Sequence, residues 1–301
     1  MKFDEFIAID WSGAKGPYAG IAVGLCHAGD DAPILVEPRT RRWTRTEIAE
    51  WLTAKLQTRT RCLIGLDFAF GFPFEEHCGY LGGTTGIDDI FGLWSMISAR
   101  SLTDTDFGCT SFINHSDFAP LFWTRSTRPQ GWMNRKRRTE VACAAATGTH
   151  PDTVYKMIGP KQVGKASITG IRVLHHVRSR HDSAAIWPFE SVRASGLVEI
   201  YPTLFRKRAT NRTEKIREWK ELNRALEHFR SRPLGQLPRR SPTDHETDAL
   251  LSAAGLRASV RRPEVWQPPE IASPRVRREG WIFGLDSASL FSCPPAPKVA
   301  S

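Results

Sequence analysis

The chain has no apolar run near the roughly 20 residues that cross a bilayer, so a helical membrane span is not expected. Its opening, MKFDEF, carries acidic residues and leads into a strand pattern, unlike the basic start of a secretory signal; a cytoplasmic protein is expected. Cysteine is sparse. Six residues (26, 62, 78, 109, 143, 293) are scattered with no C-x-x-C pair, which argues against a disulfide framework or a patterned zinc site and leaves buried free thiols. The stretch GPKQVGKAS (159–167) is basic and glycine-rich but lacks the G-x-x-x-x-G-K-[ST] spacing of a phosphate-cradling P-loop. No internal repeat is present, and low complexity is confined to the terminal CPPAPKVAS.

What is present is positive charge: 42 basic against 32 acidic side chains, a formal net charge of +10. The basic residues cluster, which favours a polyanionic partner such as nucleic acid. Hydrophobic residues make up 41% and charged residues 25%, as in ordinary globular proteins, and 301 residues suffice for a sizeable core.

Period and punctuation predict the elements. Residues 5–11, 18–26 and 32–38 read as three short strands in an antiparallel meander. A helix over 44–57 follows, with Thr44 and Glu47 spaced as a capping box and Ile48, Trp51, Leu52 and Leu56 on one face. RCLIGLDF is a continuously apolar strand of the kind found at a sheet centre. Residues 68–195 read as mixed helices and loops inserted into the sheet domain. A strand over 196–205 comes next. Helices over 212–232 (stripe Ile216, Trp219, Leu222, Leu226, Phe229) and 241–258 follow, and 280–285 reads as a last strand. The expected organisation is one domain over 1–285 and a flexible tail over 286–301.

Two apolar strands end in an aspartate: FIAID at Asp10 and CLIGLD at Asp67. Added in parallel, the two strands place these carboxylates side by side, where they repel and lose hydration. Hard oxygen ligands so placed select a divalent cation, Mg²⁺ or Mn²⁺. Asp248, early in an apolar helix, is the natural third member. His245 and Asp244 lie three and four residues before it, on the same face. Glu199, at the end of the preceding strand, is a fourth candidate. The carboxyl groups of Asp10, Asp67 and Asp248 are expected to converge within one coordination shell.

The segment HETDAL (245–250) is similar to the last-helix motif of RuvC-type resolvases, in the RNase H-like superfamily. The whole chain more closely resembles domain-of-unknown-function family 429, described as predicted RNase H-like nucleases. The resemblance is carried by AIDWSG (8–13), GLDFAFGFP (65–73), RRTE (137–140), VGKASITGI (163–171), VEIYPTLF (198–205) and TDHETDALLSA (243–253), in that order, over residues 5–285. It implies a mixed five-stranded α/β sheet of order 3-2-1-4-5 with flanking helices. It also implies a metal-dependent nuclease in which Asp10, Asp67, Asp248, Glu199 and His245 are catalytic and Asp10, Asp67, Asp244 and Asp248 bind the metal. Two ions about 4 Å apart would activate the attacking water and stabilise the leaving oxygen. The chain departs from the RuvC pattern in carrying Asp, not Glu, at position 67.

The run TRSTRPQGWMNRKRR (124–138) has the composition of a nucleic-acid track: guanidiniums for phosphates and an indole for a base. Arg128, Trp132, Arg135, Lys136, Arg137 and Arg138 are the expected contacts, with Lys165 from the glycine-rich stretch. Two rival functions share the pattern. An actin-like or sugar-kinase-type phosphotransferase also opens with an Asp after its first strand, and an inactive nucleic-acid-binding module would keep the basic surface.

Overall fold

The computed structural model describes residues 2–14, 16, 20–159, 162–180 and 184–285. In chain order the elements are β1 (Glu5–Asp10), β2 (Ala22–His27), β3 (Ile34–Leu35), α1 (Arg45–Leu56), β4 (Cys62–Leu66), β5 (Phe74–Glu75), β6 (Gly79–Tyr80), α2 (Ile90–Ala99), α3 (Thr110–Ile113), α4 (Arg138–Thr147), α5 (Val163–Arg178), β7 (Ala184–Ile186), β8 (Ser195–Glu199), α6 (Pro202–Thr210), α7 (Trp219–His228), α8 (Asp244–Ser259), α9 (Pro263–Trp266) and α10 (Pro274–Glu279).

The sheet is mixed, of order β3-β2-β1-β4-β8-β7. The first three strands form the antiparallel meander, and β4, β8 and β7 run parallel to β1. Six strands stand where five were expected, and the sixth, β7, is a short edge strand from the segment read as helices and loops. Three residues with no alternation of their own are legible only through their partner. The expected tail over 286–301 lies outside the described residues.

Strand alternation splits the core into two layers. Ile7, Ile9, Ile64, Leu66 and Leu197 face α1, α2, α5 and the aromatic residues of the segment after β4, including Phe68, Phe70, Phe72 and Trp94. Phe6, Ala8, Leu63 and Val198 face α6, α7 and α8. The centre strands β1 and β4 are buried on both faces, as their unbroken apolar sequence requires. Helix α8 lies directly on β1 and β2. A Cβ at Gly24 would stand 2.5 Å from the carbonyl oxygen of Ala249, so the absence of a side chain there sets how closely the helix approaches.

Local signals hold at two helix starts. Thr44 accepts from the amide of Glu47 at 3.0 Å. Glu47 does not reciprocate; its carboxylate takes the amide of Arg39 instead. Thr243 and Glu246 form the full box at the start of α8. The helix expected from residue 212 begins only at Trp219, although Ile216 is buried as its stripe predicts. The strand expected over 196–205 stops at Glu199, because Pro202 at the first helical turn opens α6. The last expected strand is reduced to a single bridge between Glu199 and Ile282. Among the described cysteines none is bonded, and all but the exposed Cys78 are buried. No helix among the described residues is long and apolar enough to cross a membrane.

Candidate active site

In the parallel register of β1 and β4, Ile9 is opposite Leu66, so Asp10 and Asp67 follow at neighbouring strand ends. The amide of Asp67 donates to the Ile9 carbonyl at 3.0 Å, which extends the ladder to the two aspartates. Adjacent strands lie about 4.8 Å apart. The pleat points both side chains to the α8 face, in line with Ala8 and Gly65. Helix α8 supplies Asp248 and His245 from above. All four residues line one cavity of about 730 Å³ at the carboxyl ends of the parallel strands. In open α/β sheets that is where ligands bind.

The three aspartates differ in their surroundings. Asp10 is buried, and its Oδ2 lies 2.5 Å from Nδ1 of His245. Burial pushes the Asp10 carboxyl above the ordinary range, and the charge of Asp248 adds to this; the His245 contact acts in the opposite direction. The same contact raises His245 above its ordinary value. Asp67 is half-buried and, among the described residues, accepts no side-chain hydrogen bond or ion pair. Desolvation first, then Asp10 and Asp248, hold its carboxyl well above the usual range. Asp248, 3% exposed, is already paired: Oδ1 with Arg206 and Oδ2 with Lys215.

This corrects the expected three-acid shell. Among the described residues no group of three or more His, Cys, Asp or Glu side chains is gathered to hold a metal ion. Asp248 does not complete such a group because two cations hold it. Asp244 is also excluded: it does not line the cavity, and its carboxylate faces Arg217 at 3.9 Å. Asp10 and Asp67 do fit a hard cation. They are two adjacent oxygen donors, one without a side-chain partner among the described residues, and Mg²⁺ is commonly held by one or two carboxylates with water and substrate phosphate filling the shell.

Glu199 lies opposite Leu66, one position out of step with Asp67, so it points to the other face of the sheet. There it accepts from the amide of Phe70 at 3.0 Å and from both terminal nitrogens of Arg137. Arg137 also binds Glu140, with Nε 2.8 Å from Oε1, and is 1% exposed. Glu199 therefore balances a buried charge at the cavity's far wall and is not a free catalytic carboxylate. Arg137 is correspondingly removed from the nucleic-acid track.

The rest of that track is divided. Arg135 pairs with Glu75. Arg128 lies over the rings of Trp123 and Trp132, 4.7 and 5.1 Å from their centroids, so the half-buried Trp132 packs within the protein rather than standing open for a base. Arg138 is exposed and Lys136 half-buried. Lys165 lines a second cavity, which shares Gly13, Ala14 and Gln162 with the first.

Sequence reading missed Lys215 and Arg206. Lys215 sat in the predicted helix over 212–232, Arg206 just past the predicted strand over 196–205, and neither carried a motif. Their signal is the position of Asp248 alone: a buried helical carboxylate requires a counter-charge.

Comparison with known proteins finds no matching family model, no matching curated protein and no matching solved structure.

Proposed function

We propose that this chain is a cytoplasmic, metal-dependent phosphodiester hydrolase of the RNase H-like type, a nuclease acting on DNA or RNA with Mg²⁺ (or Mn²⁺) held by Asp10 and Asp67. The observation that carries this reading is the pair of aspartates at neighbouring parallel strand ends, one of them with no direct ion pair among the described residues, on the floor of a cavity also lined by Lys215 and Arg206. A cation there offsets the burial, and then the like charge, that raise both acids, and a phosphate brings the oxygens that complete its shell. The strand run β3-β2-β1-β4 and the net charge of +10 support the same reading.

The metal, when bound, supplies an acidified water and positive charge against the phosphate. The chain's own residues do the rest. His245 orients the Asp10 carboxylate through Nδ1. Asp248 fixes Arg206 and Lys215 at the cavity wall. Trp11, its indole N–H bonded to Thr169 at 3.1 Å, adds an apolar wall beside Asp10.

The test is cleavage of labelled single- and double-stranded DNA and RNA in Mg²⁺, Mn²⁺ and EDTA. Metal-dependent cleavage that falls at least about 100-fold in Asp10→Asn and Asp67→Asn is expected. EDTA-resistant cleavage, or full activity of Asp67→Asn, overturns it. Phosphoryl transfer from a nucleoside triphosphate to a small molecule, with no strand cleavage, would favour the phosphotransferase reading.

A further inference from the structure

We infer that Lys215 stands where a second metal ion would otherwise be, and that it is a catalytic residue whose ammonium contacts the phosphate under attack. The inference rests on the phosphodiesterase reading above and names the second positive charge of that same site.

Two-ion hydrolysis needs a third carboxylate to hold the second ion. Here both oxygens of that carboxylate, Asp248, are engaged by side-chain cations. The two cations are not equivalent. Arg206 is 2% exposed, and its remaining nitrogens are tied to Thr203 Oγ1 at 2.9 Å and to the Thr213 carbonyl at 3.2 Å. It is enclosed, and each of its three nitrogens already donates within the protein. The Lys215 side chain is 39% exposed and lines the cavity. An ammonium has three N–H donors, and among the described residues Asp248 is its one hydrogen-bond partner. Two donors therefore remain for a ligand. The other arginine of the cavity, Arg137, is buried and fully bonded.

Lys215 is also held in place. It belongs to the extended link between α6 and α7, and the carbonyl of the next residue, Ile216, accepts from the hydroxyl of Thr247 at 3.2 Å. Thr247 precedes Asp248 on α8, so one helical turn anchors both the lysine's backbone and its ammonium. The Lys215 charge lowers both Asp10 and Asp67, which places it within electrostatic reach of the two acids proposed to hold the metal. In the reaction the water oxygen–phosphorus bond forms as the water gives a proton to solvent, the phosphorus–ester oxygen bond breaks and the leaving oxygen takes a proton from solvent. Lys215 keeps its proton and offsets the charge that develops on the phosphoryl oxygens.

The experiment compares wild type, Lys215→Met and Lys215→Arg. Bound Mn²⁺ is counted by electron paramagnetic resonance, and cleavage is followed against metal concentration. Wild type should bind one ion and show a first-order metal dependence. In Lys215→Met cleavage at low metal should fall about 100–1000-fold. The freed Asp248 oxygen should then admit a second Mn²⁺, with partial recovery of rate at high metal and a steeper metal dependence. Lys215→Arg should bind one ion and keep more activity than Lys215→Met. Two ions in wild type, or Lys215→Met within threefold of wild type, overturns the inference. So does loss in Lys215→Met, with a wild-type melting profile, that no metal concentration relieves. If wild type binds Mn²⁺ but cleaves no phosphodiester, the hydrolase reading itself has failed, whatever the variants do.

Discussion

His245 reaches across from α8 to place Nδ1 2.5 Å from Oδ2 of Asp10 at the end of β1. The contact raises His245 above its ordinary value of 6.5, with the hydrogen bond to Asp10 the largest cause. A raised histidine stabilises the fold below its unfolded value and loses that contribution as pH rises through its folded value. In metal-free protein the ring-proton NMR titration of His245 should have a midpoint above 6.5 that moves down in Asp10→Asn. A midpoint unaffected by Asp10→Asn would mean the two side chains do not share a proton.

Asp67 gives the opposite lesson about charge. Its carboxyl is held well above the ordinary value of 3.8, so the unfolded chain ionises first as pH rises and the fold loses stability from there through the folded value. Asp67→Asn should match wild type near pH 3 and melt higher at neutral pH without metal, at about 2–4 °C per kcal/mol for large domains. Mg²⁺ should stabilise wild type and not the variant. Scanning calorimetry across pH, with and without Mg²⁺, decides it; equal Mg²⁺ shifts in both proteins remove Asp67 from the metal.

Arg137→Met should destabilise the protein by about 3–5 kcal/mol in urea denaturation, because it leaves Glu140 and Glu199 buried without their partner. Adding Glu140→Gln and Glu199→Gln should restore part of the loss. A single variant as stable as wild type would show that the carboxylates protonate at little cost.

The basic residues that reach solvent have a separate test. If Lys136 and Arg138 contact phosphates, their joint replacement by Ala should flatten the plot of log affinity against log salt by about 0.7 per lost contact on single-stranded oligonucleotides. Fluorescence anisotropy at several salt concentrations measures this. An unchanged slope assigns nucleic-acid binding to another surface.

Gly24→Ala acts at a distance. The new Cβ meets backbone atoms of Ala249, which cannot rotate aside, so α8 must move off the sheet. A loss of about 1–3 kcal/mol is expected, together with slower cleavage, since Asp248 and His245 ride on that helix. Undiminished cleavage would show that the site tolerates the shift.

The parts of the site carried by short-range pattern were legible. Apolar runs that stop at Asp10 and Asp67 announce themselves within a few residues. The parts carried by long-range charge pairing were not. Lys215 meets Asp248 across 33 positions, and Arg137 meets Glu199 across 62. From sequence, Arg137 looks like its neighbours Lys136 and Arg138, although one is buried and the others reach solvent. Residues 212–218 show the same limit. Ile216 fits a helical stripe and is buried, yet the helix starts only at Trp219, because the Ile216 carbonyl binds Thr247 instead of an amide further along its own chain.

The Arg137 knot bears on how the segment between β4 and β8 can be cut. Arg137 and Glu140 belong to that segment, Glu199 to the sheet, and Glu279 to α10, where its carboxylate accepts from the amides of Phe74 and Arg138. A truncated chain that excised residues 68–195 as a detachable cap would strip Glu199 of Arg137 and the Phe70 amide and leave Glu279 with Arg275 alone. Any minimal version of this protein would have to be trimmed around that crossing point, or be supplied with neutral substitutes at 199 and 279 before the cut is made.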